Sequence, residues 1–289
     1  MIKNLFKKIR LILQDIKLAH SLFALPFALL AAFLAKNDAP SLREFLWIIV
    51  AMIGARSGAM ATNRLLDANL DARNPRTRGR ALPSGAVKKI EMAVFILASY
   101  AVFVFAAYKL NRLCFWLSPV AVAWISFYSL TKRFTLLSHF VLGLSLGIAP
   151  MGAWLAIRGQ FDLAPFFISG AVLLWVAGFD ILYSIQDIEA DRKQGLHSIP
   201  GFLGIKNSLW AARGLHAGSA LLLLGPYFLL QLGPLYLAGL LVICALFIRE
   251  HSLLKPGDLS KLDVAFFNMN GWISAAFFIF GALDILIRR

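Results

Sequence analysis

Carboxylates are scarce in this chain: 15 Asp and Glu stand against 29 Lys and Arg in 289 residues, a formal net charge of +14. Cysteine is scarcer still. Cys114 and Cys244 fall at or inside apolar segments, far apart, with no C-x-x-C spacing and no H-E-x-x-H run elsewhere, so no zinc, haem or nucleophile-type site is expected. The five histidines are scattered, and His139, beside an apolar run, reads as a hydrogen-bonded structural residue. The chain also lacks a G-x-x-x-x-G-K-[ST] loop and a G-x-G-x-x-G fingerprint, which removes ATP-driven and nicotinamide chemistry. It has no nucleic-acid-reading module, so nucleic acid is not an expected partner and the positive charge points to topology and anionic lipid.

What the chain has in quantity is apolar sequence. Hydrophobic residues make up 60% and charged residues 15%, with repeated runs close to the ~20 residues that cross a bilayer. The expectation is an all-α polytopic membrane protein of about nine transmembrane helices over 21–36, 45–62, 90–108, 113–131, 136–157, 164–186, 208–231, 234–249 and 264–287. Residues 21–289 then form one transmembrane domain. Residues 1–20 carry Lys3, Lys7, Lys8, Arg10 and Lys17 among Leu, Ile and Phe, which suits an amphipathic helix on an anionic leaflet. Gln14, Asp15 and Lys17 interrupt any signal-peptide core. Counted over the nine helices, 21 of the 29 Lys and Arg fall on one face and seven on the other, with Arg56 inside the second helix. That bias assigns the basic face to the cytoplasm. Gly-Leu-Ser-Leu-Gly at 143–147 is explained by close helix packing.

Six of the 15 acids gather in two clusters just after apolar segments: Asn63-x3-Asp67-x3-Asp71, and Asp180-x2-Tyr183-x3-Asp187-x3-Asp191 with Glu189. A 3.6-residue period stacks Asp67 above Asp71 and Asp187 above Asp191, where like charges repel unless a cation lies between them. Mg2+ meets that need, since it takes oxygen ligands, keeps waters and bridges a few carboxylates to substrate phosphates. Basic residues follow each cluster: Arg73, Arg76, Arg78 and Arg80 after the first, Arg192 and Lys193 after the second. Guanidinium forks suit phosphate oxygens left unligated by metal. A bland reading makes the acids partners of those arginines in solvated loops, but it leaves the doubled step unexplained. The doubling implies two related halves and also keeps open a transporter whose acids line an ion or substrate path.

The motifs resemble those of the UbiA superfamily of intramembrane aromatic prenyltransferases, whose nine-helix bundle carries two Asp-rich motifs. Its first motif, N-D-x-x-D-x-x-x-D, is met by Asn63, Asp67 and Asp71, with Arg64 in the second position. Arg76-Thr77-Arg78-Gly79-Arg80-Ala81-Leu82-Pro83-Ser84-Gly85 is similar to R-T-x-x-R-P-L-P-S-G, and Asp180, Tyr183, Asp187 and Asp191 meet the second motif, D-x-x-Y-x-x-x-D-x-x-x-D. Tyr128 through Lys132 and Arg133 is similar to the family's Y-x-x-x-K-R. CDP-alcohol phosphotransferases also use spaced aspartates, but their D-G-x-x-A-R element is absent from 71–75.

The resemblance implies transfer of a polyprenyl group from its diphosphate to an aromatic acid such as 4-hydroxybenzoate, in ubiquinone or menaquinone synthesis, at the cytoplasmic side of a bacterial inner membrane. It makes Asp67, Asp71, Asp187 and Asp191 the catalytic Mg2+ ligands, with Asn63 orienting that shell. Arg78, Arg80 and Lys132 become diphosphate contacts, Arg133 pairs an acceptor carboxylate, and Asp180 belongs to the substrate site. Phe23, Phe27, Trp124, Phe127, Tyr128 and Tyr183 offer ring faces to the allylic cation.

Overall fold

The computed structural model describes residues 2–16 and 24–288, so Lys17 and Phe23 lie outside the described residues. Helices carry nearly all of the ordered backbone, and no strand is formed among the described residues. They run α1 (Ile2–Asp15), α2 (Ala24–Lys36), α3 (Leu42–Leu66), α4 (Ala68–Arg73), α5 (Lys89–Leu110), α6 (Arg112–Thr131), α7 (Ser138–Arg158), α8 (Ala164–Ser184), α9 (Ile188–Lys193), α10 (Ile199–Leu222), α11 (Leu224–Leu229), α12 (Pro234–Ser252) and α13 (Asn270–Ile287). A 3-10 turn, Ile185–Asp187, joins α8 to α9, and a π-helical turn, Val264–Met269, leads into α13.

Among the described residues, seven helical segments are long and apolar enough to cross a membrane, and two expected spans differ from the nine-helix reading. The span expected over 21–36 appears as α2, whose 13 residues reach only about 20 Å at 1.5 Å per residue. The span expected over 208–231 begins earlier. Ser198 caps the first turn of α10 by accepting the Gly201 N–H at 3.2 Å, Pro200 occupies that turn, and the helix bends at Gly204, whose φ of 74° favours glycine. It then ends at Leu222, and the short α11 follows.

The chain forms two compact units. The first takes in residues within 1–21 and 47–130. Its helix contacts depend on small residues: a Cβ on Gly54 of α3 would stand 2.8 Å from Phe103 N and 2.9 Å from Ser99 O of α5. The Tyr100 hydroxyl ties the same helices together, 2.8 Å from Ser126 Oγ of α6 and 3.3 Å from Thr62 Oγ1 of α3. At one end, Ile12 and Ile16 bury against Ala61, Ala81, Val87 and Met92. The α1 helix is therefore seated on the chain segment that follows the first acidic cluster. Lys8 Nζ donates to the Ala86 carbonyl at 2.6 Å and pairs with Glu91 at 3.3 Å.

The second unit takes in 22–46 and 131–289. Here α7 packs tightly on α8, because Gly143 and Gly147 of α7 rest on the carbonyls of Leu173 and Ser169 of α8. The packing role expected for those glycines is thereby met. Phe27 is 2% exposed and stacks on Trp175 and Phe277 at centroid distances of 4.8 and 4.6 Å, so its ring serves the core of this unit. Trp175 Nε1 donates to Asn270 Oδ1 at 2.6 Å, satisfying two polar groups inside apolar surroundings.

Candidate active site

The i,i+4 step of the first cluster survives in the backbone. Asp67 N donates to Asn63 O at 2.9 Å and Asp71 N to Asp67 O at 2.8 Å, so helical spacing continues past the end of α3 into α4. Asp67 and Asp71 are buried, at 2% and 7% exposure. Asn63 Nδ2 donates to Asp67 Oδ2 at 3.0 Å, and its Oδ1 accepts from Arg64 Nη1 at 2.9 Å. A guanidinium only donates and a carboxylate only accepts, so these two contacts define which way the Asn63 amide faces.

Arg64 is the departure from the family pattern, and the structure gives it a partner in the N-terminal arm. Its Nε and Nη2 reach the Asp15 carbonyl at 3.4 and 3.3 Å, and its Nε lies 3.8 Å from the Asp15 carboxylate. Burial pushes the Asp15 carboxyl above its usual range, opposed by Arg64, the Ala81 N–H and Arg80. The loop after α4 turns back through Thr77, whose hydroxyl donates to Asp71 O at 3.1 Å, and brings Arg80 onto Asp71 with Nη1 2.7 Å from both carboxylate oxygens. Arg78, from the same loop, is exposed. Tyr128 of α6 belongs to this group, interacting with Arg64, Asp67 and Arg56.

In the second unit, Asp180 Oδ2 lies 2.7 Å from His139 Nδ1. His139 Nε2 is 3.3 Å from the Ile199 N–H and must accept from it, so Nδ1 carries the proton and donates to Asp180. Tyr183, one turn on, lays its ring against Phe266 at 4.1 Å. Asp191 stands near enough to Asp187 for the two to repel, and it is balanced by Ser198, Lys132 and His139. Lys132 is held there by its own backbone, since its carbonyl accepts the His197 N–H at 2.8 Å. Arg133 and Lys193 are exposed, and Arg192 Nη2 caps the Gly201 carbonyl at 3.0 Å.

Each unit thus gathers the acids that its sequence spacing suggested, and each adds a residue that spacing could not supply. His139 was legible only as a hydrogen-bonded residue, with its partner Asp180 lying 41 positions away. Asp15 carried one faint signal, an acid in a basic arm. Among the described residues, no three His, Cys, Asp or Glu side chains form a closed metal cage. The donor chemistry nonetheless fits Mg2+: the carboxylates of Asp67 and Asp71 in one unit, and of Asp187 and Asp191 in the other, offer hard oxygen donors of the kind this ion takes while keeping waters.

An all-helical membrane-spanning protein with paired carboxylates at helix ends is the class these features define. Residues 24–273 match the UbiA prenyltransferase family. A 4-hydroxybenzoate octaprenyltransferase of Ectopseudomonas mendocina (strain ymp) is 30% identical over 267 residues, covering 89% of this chain and 86% of the relative. The apo structure of a UbiA homolog from Aeropyrum pernix K1 superposes with a TM-score of 0.83 and 32% identity over 94% of this chain and 98% of that one. A UbiA homolog from Archaeoglobus fulgidus, bound to DMAPP and Mg2+, shares the fold at a TM-score of 0.72 and 21% identity, over 96% and 99% of the two chains. The chain belongs to the UbiA prenyltransferase family. It is an integral membrane enzyme, and the transporter reading is set aside.

Proposed function

We propose that this enzyme carries out Mg2+-dependent transfer of a polyprenyl group from its diphosphate to an aromatic acid resembling 4-hydroxybenzoate, in ubiquinone or menaquinone synthesis. The observation that carries this reading is the buried pair Asp67 and Asp71, kept at helical spacing and flanked by Asn63 and Arg80. The octaprenyltransferase names of the relatives and the DMAPP and Mg2+ bound by the Archaeoglobus homolog support it. The lysine and arginine bias supports an active site on the cytoplasmic face of a bacterial inner membrane. Residues 21–289 act as the catalytic domain, and α1 lies at its membrane surface.

Asp67, Asp71, Asp187 and Asp191 would hold Mg2+, which when bound supplies Lewis-acid stabilisation of the diphosphate leaving oxygen. Asn63 holds Asp67 in one rotamer through its Nδ2 contact. Arg80 and Lys132 take the diphosphate oxygens as charge-assisted donors, with the exposed Arg78 at the entrance. As the carbon–oxygen bond of the allylic diphosphate breaks, Tyr128 and Tyr183 present ring faces to the cation, an attraction strengthened where water is excluded. The acceptor ring attacks through a carbon activated by its own hydroxyl, and the ring proton then leaves to restore aromaticity. Asp180, already holding the His139 proton in a hydrogen bond, orients the acceptor side of the site.

Diphosphate release by the purified protein in lipid, given a short allylic diphosphate, tests this reading. Release is expected only with Mg2+ and only with 4-hydroxybenzoate or 1,4-dihydroxy-6-naphthoate present, and the acceptor required names the quinone. Folded protein that releases diphosphate with neither acceptor overturns the assignment.

A further inference from the structure

A π-helical turn is rare in proteins and recurs at functional sites, so Val264–Met269 calls for a reason. One side chain repairs its winding. In an α-helix the Phe266 carbonyl accepts the N–H four residues on, at Asn270. Here the Asn270 N–H is directed to Phe267 O, and the Asn270 side-chain Nδ2 donates to Phe266 O at 2.9 Å in its place. The amide is fixed in that direction. Trp175 Nε1, which only donates, meets Oδ1 at 2.6 Å, so Nδ2 faces Phe266, with Glu250 Oε1 at 3.4 Å beside it. Asn270, Trp175 and Glu250 are fully buried, and turning the amide would leave polar groups unsatisfied in apolar surroundings. Asn270 therefore pins the turn to Trp175 of α8 and Glu250 of α12.

What the turn aims is an aromatic ring. A π-turn carries about one residue more than an α-turn, and one residue is about 100° of rotation, so the direction of Phe266 depends on the turn being kept. Phe266 lands on the second acidic motif, its ring centroid 4.1 Å from that of Tyr183 with 30° between the planes. Phe179 and Phe267 hold Phe266 from the sides, edge to face at 5.3 and 4.7 Å. At this angle Phe266 covers one face of Tyr183 and resists rotation of that ring, so a ligand can meet Tyr183 on one face at most. Tyr183 and Phe266 are half-buried, whereas Asn270 lies wholly inside.

We propose that Asn270, by holding the π-turn, is a positioning residue that seats Phe266 on Tyr183, and that the paired rings face the allylic cation and keep water from it. This rests on the prenyltransferase reading above. Two fates compete for that cation. The acceptor ring forms the new carbon–carbon bond and loses its proton, or water adds its oxygen to the cation and gives up a proton, leaving a prenyl alcohol. A ring wall that is fixed in place favours the first, through cation-π attraction and exclusion of water.

The test follows wild type, Phe266→Leu, Phe266→Tyr and Asn270→Ala with a short allylic diphosphate, Mg2+, and 4-hydroxybenzoate or 1,4-dihydroxy-6-naphthoate. Turnover, prenyl diphosphate KM and the ratio of prenyl alcohol to prenylated acceptor are measured. In parallel, fluorine NMR of fluorotyrosine-labelled protein reads the Tyr183 resonance, one of six, identified by its loss in Tyr183→Phe. Phe266→Leu is expected to lower turnover about 3- to 30-fold and raise the alcohol share, with prenyl diphosphate KM moving less than about threefold. Phe266→Tyr restores both, and Asn270→Ala follows Phe266→Leu and shifts the Tyr183 resonance. If Asn270→Ala does not fold, Trp175→Phe takes its place, since it keeps a ring and removes the donor that orients the Asn270 amide. An unchanged alcohol share in Phe266→Leu overturns the proposal. A Tyr183 resonance unmoved when Asn270 is altered or released also overturns it. Wild type that prenylates neither acceptor sinks the transferase reading by itself; a Tyr183 shift in both Phe266→Leu and Asn270→Ala then still supports the positioning, and absence of a shift ends it.

Discussion

Arg80 Nη1 stands 2.7 Å from both carboxylate oxygens of Asp71, a single nitrogen bridging the whole anionic edge. The Asp71 side chain is 9% exposed and that of Arg80 23%, so the guanidinium is the member that water and substrate can reach. In the proposed reaction a diphosphate arriving at this point would compete for Arg80 and leave the Asp71 oxygens available to a metal. Arg80→Gln should therefore raise the KM for prenyl diphosphate by about 10- to 100-fold, matching loss of a charged hydrogen bond of about 1.5–3 kcal/mol. Steady-state kinetics at saturating acceptor checks this, and an unchanged KM would falsify the contact.

Asp67 and Asp191 are expected to be indispensable for a different reason. Asp67→Asn keeps the shape of a buried side chain while removing its charge, and Asp191→Asn does the same beside Asp187. Turnover should drop by about 100-fold or more in each, the scale seen when one preorganised transition-state contact is lost. Size-exclusion profiles and thermal unfolding in detergent should stay near wild type. Normal turnover in both variants sinks the metal assignment.

Arg64→Met separates positioning from ligation. The substitution removes the contacts to Asp15 and leaves the Asn63 amide held by its Asp67 contact alone, one of the two hydrogen bonds that fix its direction. A stability loss of about 1–3 kcal/mol is expected, because Asp15 keeps its burial and loses its nearest cation. The Mg2+ concentration for half-maximal turnover should rise in parallel. Arg64→Asp should shift the Mg2+ dependence further. If neither variant moves it, Arg64 acts on the fold alone.

At the α7–α8 connection, Trp154 Nε1 donates to Asp162 Oδ2 at 2.8 Å. That hydrogen bond, helped by Gln160 and Arg158, holds the Asp162 carboxyl below its ordinary range. A folded pKa lower than the unfolded one gives stability that is fully present above about pH 4 and is lost as pH falls through the folded value. The wild-type minus Asp162→Asn difference in tryptophan emission should be flat at neutral pH and titrate only below about pH 4. A titration centred near pH 6 contradicts the assignment.

Local regularities of the chain were legible in advance, and long-range ones were not. Asn63, Asp67 and Asp71 are related by helical period, and that period holds in the backbone hydrogen bonds. Gly143 and Gly147 announced close packing through their small size and four-residue step. By contrast, Arg64 meets Asp15 across 49 positions and His139 meets Asp180 across 41, contacts that only tertiary folding creates. Hydropathy also misjudged the start of α10, where a serine cap and a left-handed glycine shape the helix without changing its apolar content. Arg56 was visible as an isolated charge, but that its Nε is buried without a hydrogen-bond partner among the described residues is a property of the fold.

The seating of Gly143 and Gly147 on the α8 carbonyls bears on how a lipid substrate gets in and out. Backbone that close leaves no width for a hydrocarbon chain, and prying it open would strip both helices of dispersion contacts that lipid replaces poorly. The α7–α8 seam is thus a weld, and the doorway for the prenyl tail has to be cut in some other wall of the protein.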